Sequence, residues 1–147
     1  MAIYISTIMV LLTAIVAWTN YQQHLLAKEK FKLDLFEKRF AVYKGAQRFL
    51  THILKSGKIE LDKLFEFRRD TQDAVFLFSD DIPKYLDSID RKALDMGTKA
   101  EQYKDLPVGE ERSKLCKEES RLLMELLDEL PRLKDVFAPY LNFKKWK

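Results

Sequence analysis

The chain has few of the residues that interrupt regular structure or support common kinds of chemistry. Its 147 residues include 4 Gly, 4 Pro, 2 His and 1 Cys. Few glycines and prolines, together with 12% aromatic residues, favour long helices over a series of short strands. The single cysteine, Cys116, excludes an intramolecular disulfide and a metal site built from several thiolates. His24 and His52 lie far apart along the chain, so we expect no metal site.

Charged side chains are also missing from the amino-terminal part of the chain. Met1–Ala27 contains no Asp, Glu, Lys or Arg, and its first part, Ala2–Trp18, reads AIYISTIMVLLTAIVAW. A helix of about 17 to 20 residues reaches about 25 to 30 Å, close to the thickness of the hydrocarbon core of a bilayer. The sequence therefore predicts a transmembrane anchor over residues 1–22 and a cytoplasmic helical-bundle domain over residues 23–147. A cleaved signal peptide and a buried core helix are the alternatives.

Basic residues follow the apolar stretch, and none precedes it. Lys28, Lys30 and Lys32 come first, and residues 28–55 carry a net charge of +5. Because positive residues stay on the cytoplasmic side, we expect a bacterial inner-membrane protein with its amino terminus outside and its carboxy-terminal domain in the cytoplasm. These lysines, with Trp18 and Tyr21, are the predicted membrane-interface residues.

The carboxy-terminal tail mixes lysines with an aromatic residue. It ends in Lys144, Lys145, Trp146 and Lys147. This composition is typical of a segment that lies on a membrane surface, and an ordinary packed terminus is the alternative. Acidic and basic residues are interspersed rather than gathered into a stripe, so we expect no nucleic-acid partner.

Apolar residues recur at helical spacing after the predicted anchor. The sequence predicts an amphipathic helix up to Lys55, a second over about Glu60–Phe78, a third that starts near Ile82, and a fourth from about Glu110 that Pro131 stops or kinks. The third has the most regular pattern, with steps of three and four residues along Ile82, Leu86, Ile89, Ala93, Met96, Ala100 and Tyr103. We therefore expect an all-α protein, in which the transmembrane helix continues into an antiparallel bundle of about four helices.

Two further predictions concern packing. The predicted core face of the first amphipathic helix carries Phe36, Phe40, Tyr43, Leu50 and Ile53. Phe49, Phe67 and Phe143 fall outside the predicted core faces, where they either dock a partner or thicken the core. Gly45, inside the first helix, suggests a close approach of another helix.

The chain lacks the constellations of residues that catalysis requires. It has no glycine-rich phosphate loop, and Cys116 has no neighbouring histidine. Acidic pairs such as Asp80–Asp81 and Glu110–Glu111 lie at predicted helix starts, where they stabilise the positive end of the helix. We expect no catalytic residue, no cofactor, no small-molecule substrate and no enzymatic activity.

Four stretches carry a resemblance to a known family. They are Leu33–Tyr43 (LDLFEKRFAVY), Phe76–Leu86 (FLFSDDIPKYL), Leu106–Arg112 (LPVGEER) and Phe137–Phe143 (FAPYLNF). Together they resemble a family of short bacterial proteins of unassigned function, each with one amino-terminal transmembrane helix and a helical cytoplasmic domain. The resemblance implies a bacterial membrane-anchored protein and assigns no activity.

These features predict a single-pass, membrane-anchored helical interaction or scaffold protein. Its expected partners are the lipid bilayer and either a second copy or another membrane or cytoplasmic protein. One alternative is an oligomerising membrane effector, such as a toxin or an antiviral-defence protein. A further alternative is a phage lysis accessory protein.

Overall fold

The computed structural model describes the backbone of residues 2–142 and the side chains of residues 7–142. In these residues the chain forms five helices and no strand. The helices are α1 (Ala2–Ser56), α2 (Leu61–Thr71), α3 (Ala74–Leu77), α4 (Asp81–Lys104) and α5 (Glu110–Leu141). The prediction of an all-α protein is confirmed.

The prediction of a transmembrane helix is wrong. Within the part of the chain that the structure describes, no helix combines the length and the hydropathy needed to cross a membrane. The apolar stretch lies at the start of α1, and the polar residues Asn20, Gln22 and Gln23 follow it in the same helix. They carry no charge, but they limit the length of the apolar run. The location, the orientation and the interface residues stay predictions that the structure does not test.

Packing divides the chain into two units, Met1–Glu37 and Lys38–Lys147. In the described residues the first unit is a single stretch of α1. The second unit contains the remainder of α1 with α2 to α5, and it holds the buried core, which runs from Val42 to Phe137.

Within the second unit, α1 contributes a buried face centred on small residues. Val42, Ala46, Leu50 and Ile53 are at most 2% exposed. The prediction was right for Leu50 and Ile53, whereas Phe40 is 38% exposed. The buried face is therefore centred on Ala46, which is 0% exposed, rather than on Phe40.

Helices α4 and α5 pack side by side in opposite directions. Lys92 Nζ lies 2.9 Å from Glu129 Oε1, and the Tyr103 hydroxyl donates to Glu119 Oε2 at 2.7 Å. Residue numbers rise along α4 as they fall along α5, which is the order of an antiparallel pair. The predicted face of α4 is confirmed over the buried residues Ile82, Leu86, Ile89, Ala93 and Met96.

The helix predicted over Glu60–Phe78 is interrupted after Thr71. The short α3 follows, and Phe78 then leaves the helical conformation with an extended backbone (φ −131°, ψ 168°). Its side chain is 9% exposed, and its ring meets those of Phe137 and Tyr140 edge-on at 5.3 Å. The interruption therefore places Phe78 in the core.

Pro131 does not stop α5. The helix continues to Leu141 through both Pro131 and Pro139, although each proline removes a backbone hydrogen-bond donor. Leu126, Leu133 and Phe137 on the same helix are at most 1% exposed. Burial of this apolar face offsets the lost hydrogen bonds.

Arg39 connects three elements of the second unit. Its Nε donates to the carbonyl oxygen of Leu77 at 2.8 Å, and its guanidinium carbon lies 5.5 Å from the ring centroids of Phe78 and Tyr140. Burial lowers the pKa of Arg39. The cation–π and hydrogen-bond contacts tie α1 to the end of α3 and to the end of α5.

The close approach predicted at Gly45 is confirmed. Gly45 is buried, and a Cβ atom built on it would lie 2.6 Å from the Cβ of Asp70 in α2. Arg48 Nη2, one turn further along α1, lies 2.7 Å from Asp70 Oδ2. The missing side chain of Gly45 therefore brings α1 and α2 within reach of this ion pair.

We expect Gly45→Ala to lower the free energy of unfolding by at least about 1 kcal/mol, because overpacking costs about 1 to 3 kcal/mol. Gly97→Ala in α4 is the matched control. There a Cβ would lie 3.6 Å from the nearest atom, the Cβ of Ile59, so the helix preference for alanine should raise the free energy by up to about 1 kcal/mol. Urea unfolding followed by circular dichroism measures both values. Equal effects at the two glycines would contradict the close approach at Gly45.

Candidate interaction surface

Residues 7–26 of α1, which we call the apolar segment, expose a large apolar surface. They belong to the first unit, where the described chain is a single helix. Within the described part of this unit no second element packs on the helix, and the exposed fractions of the large apolar side chains range from 41% to 69%. These side chains belong to Ile8, Met9, Val10, Leu11, Leu12, Ile15, Val16, Trp18, Tyr21, Leu25 and Leu26.

The apolar surface surrounds the helix. The successive residues Ile8–Leu12 all carry large apolar side chains, and successive side chains of a helix point about 100° apart. They therefore face all directions around the axis. A helix that is apolar on all sides is normally covered on all sides, so the segment requires cover from more than one direction.

Two threonine hydroxyl groups of the apolar segment are bonded within the helix. Thr13 Oγ1 donates to the carbonyl oxygen of Met9 at 2.8 Å. Thr19 Oγ1 lies 2.9 Å from the carbonyl oxygen of Ile15 and 3.0 Å from that of Val16. Because a polar group is costly to bury only when it lacks a hydrogen bond, these threonines do not oppose covering the segment with apolar atoms.

The predicted interface residues lie within and just after the apolar segment. Trp18 is 65% exposed and Tyr21 is 59% exposed. Lys28 and Lys30 are exposed, and Lys32 Nζ lies 3.2 Å from Glu29 Oε1. The change from apolar to charged surface therefore falls at residues 27–28. The predicted tail residues Lys144, Lys145, Trp146 and Lys147 lie outside the described residues.

The structure decides between the two alternatives for Phe49 and Phe67, which were docking a partner and thickening the core. They are 3% and 2% exposed, and their rings stack on each other with centroids 4.7 Å apart. They thicken the core between α1 and α2, which is the second of the two alternatives. Phe143 lies outside the described residues.

The bundle also contains a buried acid that the sequence analysis missed. Glu129 is 4% exposed, and its Oε1 lies 2.9 Å from Lys92 Nζ and 3.8 Å from Arg132 Nη1. Its Oε2 has no hydrogen-bond partner among the described residues. Burial raises the pKa of the neighbouring Tyr85 phenol, and the Glu129 carboxylate adds to the shift. The spacing of three or four residues along Leu122, Leu126, Glu129 and Leu133 is the signal that could have located this acid on the buried face.

Other polar side chains of the bundle link neighbouring helices. Arg68 and Asp90 form two hydrogen bonds, of 2.6 Å and 2.8 Å, between α2 and α4. A hydrogen bond from the Tyr103 hydroxyl to the Glu119 carboxylate raises the pKa of Tyr103 to about 12, and partial burial adds to the effect. These groups are engaged with one another in positions that hold helices together.

No protein-family model, curated protein or solved structure matches this chain. The resemblance to short bacterial proteins with one transmembrane helix stays a prediction.

We expect the Tyr103–Glu119 hydrogen bond to give a distinct phenol titration. Because the pKa of Tyr103 is raised from its ordinary value of 10, the interaction stabilises the folded state below pH 10, and this stabilisation is lost as the pH rises towards 12. The difference in near-ultraviolet phenolate absorbance between wild type and Tyr103→Phe should have its midpoint near pH 12. Glu119→Gln should move that midpoint down towards 10. A midpoint near 10 in the wild type would contradict the assignment.

Proposed function

We propose that this protein is a helical interaction or scaffold protein that assembles through the apolar segment of α1. The observation that carries the proposal is the exposure of eleven large apolar side chains within residues 7–26, at fractions of 41% to 69%. An apolar surface of this kind marks a site of association, because water is released when a partner covers it.

The spacing within the apolar segment favours a second copy of the chain as the partner. Ile8, Leu11, Ile15, Trp18 and Leu25 follow one another at steps of three and four residues or a full seven. This repeat lets two helices pack side by side with interlocking side chains. Because the segment carries no charge, identical copies do not repel each other along it.

Apolar side chains outside this repeat favour more than two copies. Met9, Val10 and Leu12 point away from the repeating face, and each is at least 56% exposed. A pair of helices covers one face of each, so these residues would stay in water in a dimer. An assembly of three or more helices covers more of each helix.

The polar contacts of the bundle support a scaffold rather than an enzyme. Glu129 with Lys92, and Tyr103 with Glu119, join α4 to α5. Their hydrogen bonds hold the helices in place, and a scaffold needs such a rigid body to present its surface to other proteins.

We expect Leu11→Asp or Ile15→Asp in the full-length protein to raise the dissociation constant for self-association at least about tenfold. Burying a Leu or Ile side chain contributes about 1.5 to 3 kcal/mol, and 1.4 kcal/mol corresponds to a tenfold change. Leu54→Asp is the matched control, since Leu54 is 53% exposed on α1 but belongs to the second unit. Sedimentation equilibrium measures the constants.

Flotation with phospholipid vesicles tests whether a lipid bilayer, rather than a second copy of the chain, covers the apolar segment. Self-association of the wild type that is lost in Leu11→Asp and kept in Leu54→Asp supports the proposal. A wild-type protein that floats with vesicles and stays monomeric at all concentrations would contradict it, since lipid rather than a second copy would then cover the segment.

A further inference from the structure

The repeating face of the apolar segment contains one polar side chain. Gln22 follows Ile8 and Ile15 at intervals of seven residues, so it lies on the same face of α1, whereas the other positions of the repeat are apolar. Gln22 is exposed, and its amide forms no hydrogen bond within the described part of the chain. Association through this face therefore removes one amide of each copy from water together with the apolar side chains.

The Gln22 amide needs a hydrogen-bond partner once a second helix covers it. A buried amide without a hydrogen bond is costly, and leucine and isoleucine side chains offer neither a donor nor an acceptor. A glutamine side chain has two donor hydrogens and an acceptor oxygen, so two glutamines that face each other can bond to each other. The residue that faces Gln22 from the neighbouring copy therefore decides which arrangement of the helices is favourable.

An antiparallel pair that covers the whole apolar segment leaves this amide without a partner. Residue 7 of one copy is then level with residue 26 of the other. This places Ile8 opposite Leu25 and Gln22 opposite Leu11. Because leucine forms no hydrogen bond, each such pair of helices buries two unpaired amides.

Shifted arrangements of the two helices are also unfavourable. An antiparallel pair in which the two Gln22 side chains meet places Glu29 level with Ile15, so that a carboxylate faces apolar surface. A parallel pair shifted by seven residues places Gln22 level with Ile15 and separates the two amides. Only parallel copies without a shift bring Gln22 to Gln22 and keep the apolar positions together.

We propose that neighbouring copies of the chain associate through α1 in parallel and in register, with their Gln22 amides bonded to one another. Each position of the repeat then faces its own counterpart, so that Ile8 meets Ile8 and Leu25 meets Leu25. A single polar residue in such a repeat fixes the register of packed helices at a cost in stability. This inference rests on the proposed function and adds to it how the partner copy is arranged.

The charged residues that follow the apolar segment are compatible with parallel copies. Residues 28–37 carry three lysines and three acidic side chains, so their formal charges cancel. Glu29 and Lys32 continue the repeat, and Lys32 Nζ lies 3.2 Å from Glu29 Oε1 of the same helix. In register, Lys32 of one copy is about one turn from Glu29 of the next, so opposite charges alternate across the contact.

The first experiment determines the orientation by cysteine crosslinking of the full-length protein, with Cys116 replaced by serine. Ile8→Cys and Leu25→Cys place thiols at the two ends of the repeat, and mild oxidation forms a disulfide where two Cα atoms come within about 4.4 to 6.8 Å. We expect each variant alone to form covalent dimers. Mass spectrometry of a mixture of the two variants should find the 8–8 and 25–25 crosslinks in large excess over the 8–25 crosslink. Phe76→Cys, which is 86% exposed in the second unit, measures crosslinking by random collision.

The second experiment tests the role of Gln22 by repeating the crosslinking with Gln22→Leu added to both cysteine variants. We expect the share of 8–25 crosslinks to rise at least about threefold, because the face then contains no polar residue that distinguishes the two orientations. Gln23→Leu is the matched control, since it adds the same side chain at an exposed position outside the repeat. It should leave the share of 8–25 crosslinks unchanged.

The possible results separate this inference from the proposed function. An excess of 8–25 crosslinks without Gln22→Leu would overturn the parallel arrangement and leave self-association in place. An equal share of 8–25 crosslinks in Gln22→Leu and Gln23→Leu would overturn the role of Gln22. A wild-type protein that stays monomeric in sedimentation equilibrium would instead contradict the proposed function, and this inference with it.

Discussion

Apolar side chains leave water only where other atoms lie against them, and α1 meets this condition in one of its two halves. Ala46 and Ile53 are fully buried beneath the other helices of the second unit. Ile8 and Ile15, in the same helix, are 56% and 59% exposed. Since burial of apolar surface is the main favourable term in folding and association, the exposed half is the surface through which we propose that the protein associates.

The packing of the helices in the second unit follows from the burial of the other half of α1, which contains Ala46 and Ile53. The absence of a side chain at Gly45 lets α2 approach, and the rings of Phe49 and Phe67 then stack across the contact. Phe78 and Phe137 meet edge-on in the core. The buried carboxylate of Glu129 is paired with Lys92 through Oε1, because an unpaired buried charge would cost more than it contributes.

The sequence was sufficient to predict which residues are buried where a regular pattern of large apolar residues determined burial. The face of α4 from Ile82 to Met96 was predicted correctly because every position on it is apolar and most of the residues between these positions are polar. The same reasoning left the burial of Phe49 and Phe67 open, because the pattern within one helix does not show which helix packs against it. Glu129 was missed because glutamate is rarely buried. The interruption after Thr71 depends on the place that Phe78 takes in the core, which is a tertiary effect.

Candidate sites also differ in whether the sequence alone reveals them. The apolar segment was visible in the sequence as a stretch without charge, but the transmembrane helix inferred from it was wrong. A groove lined by residues near 59–64 and 93–104 was not visible in the sequence, since only the fold brings these residues together. Gly97 had no evident role in the sequence, and the fold places it beside Ile59.

Electron spin resonance between copies of the chain tests the central claim, that the apolar segment packs against itself. With Cys116 replaced by serine, Thr13→Cys provides a single attachment site for a spin label within the segment. Because packed helices lie about 8 to 10 Å apart, the account predicts dipolar coupling at distances below about 30 Å between labels, and its loss when labelled protein is diluted with unlabelled protein. A label at Phe76→Cys, which is 86% exposed in the second unit, is the comparison. Absence of coupling at Thr13→Cys under conditions where the protein is concentrated and folded would contradict the account.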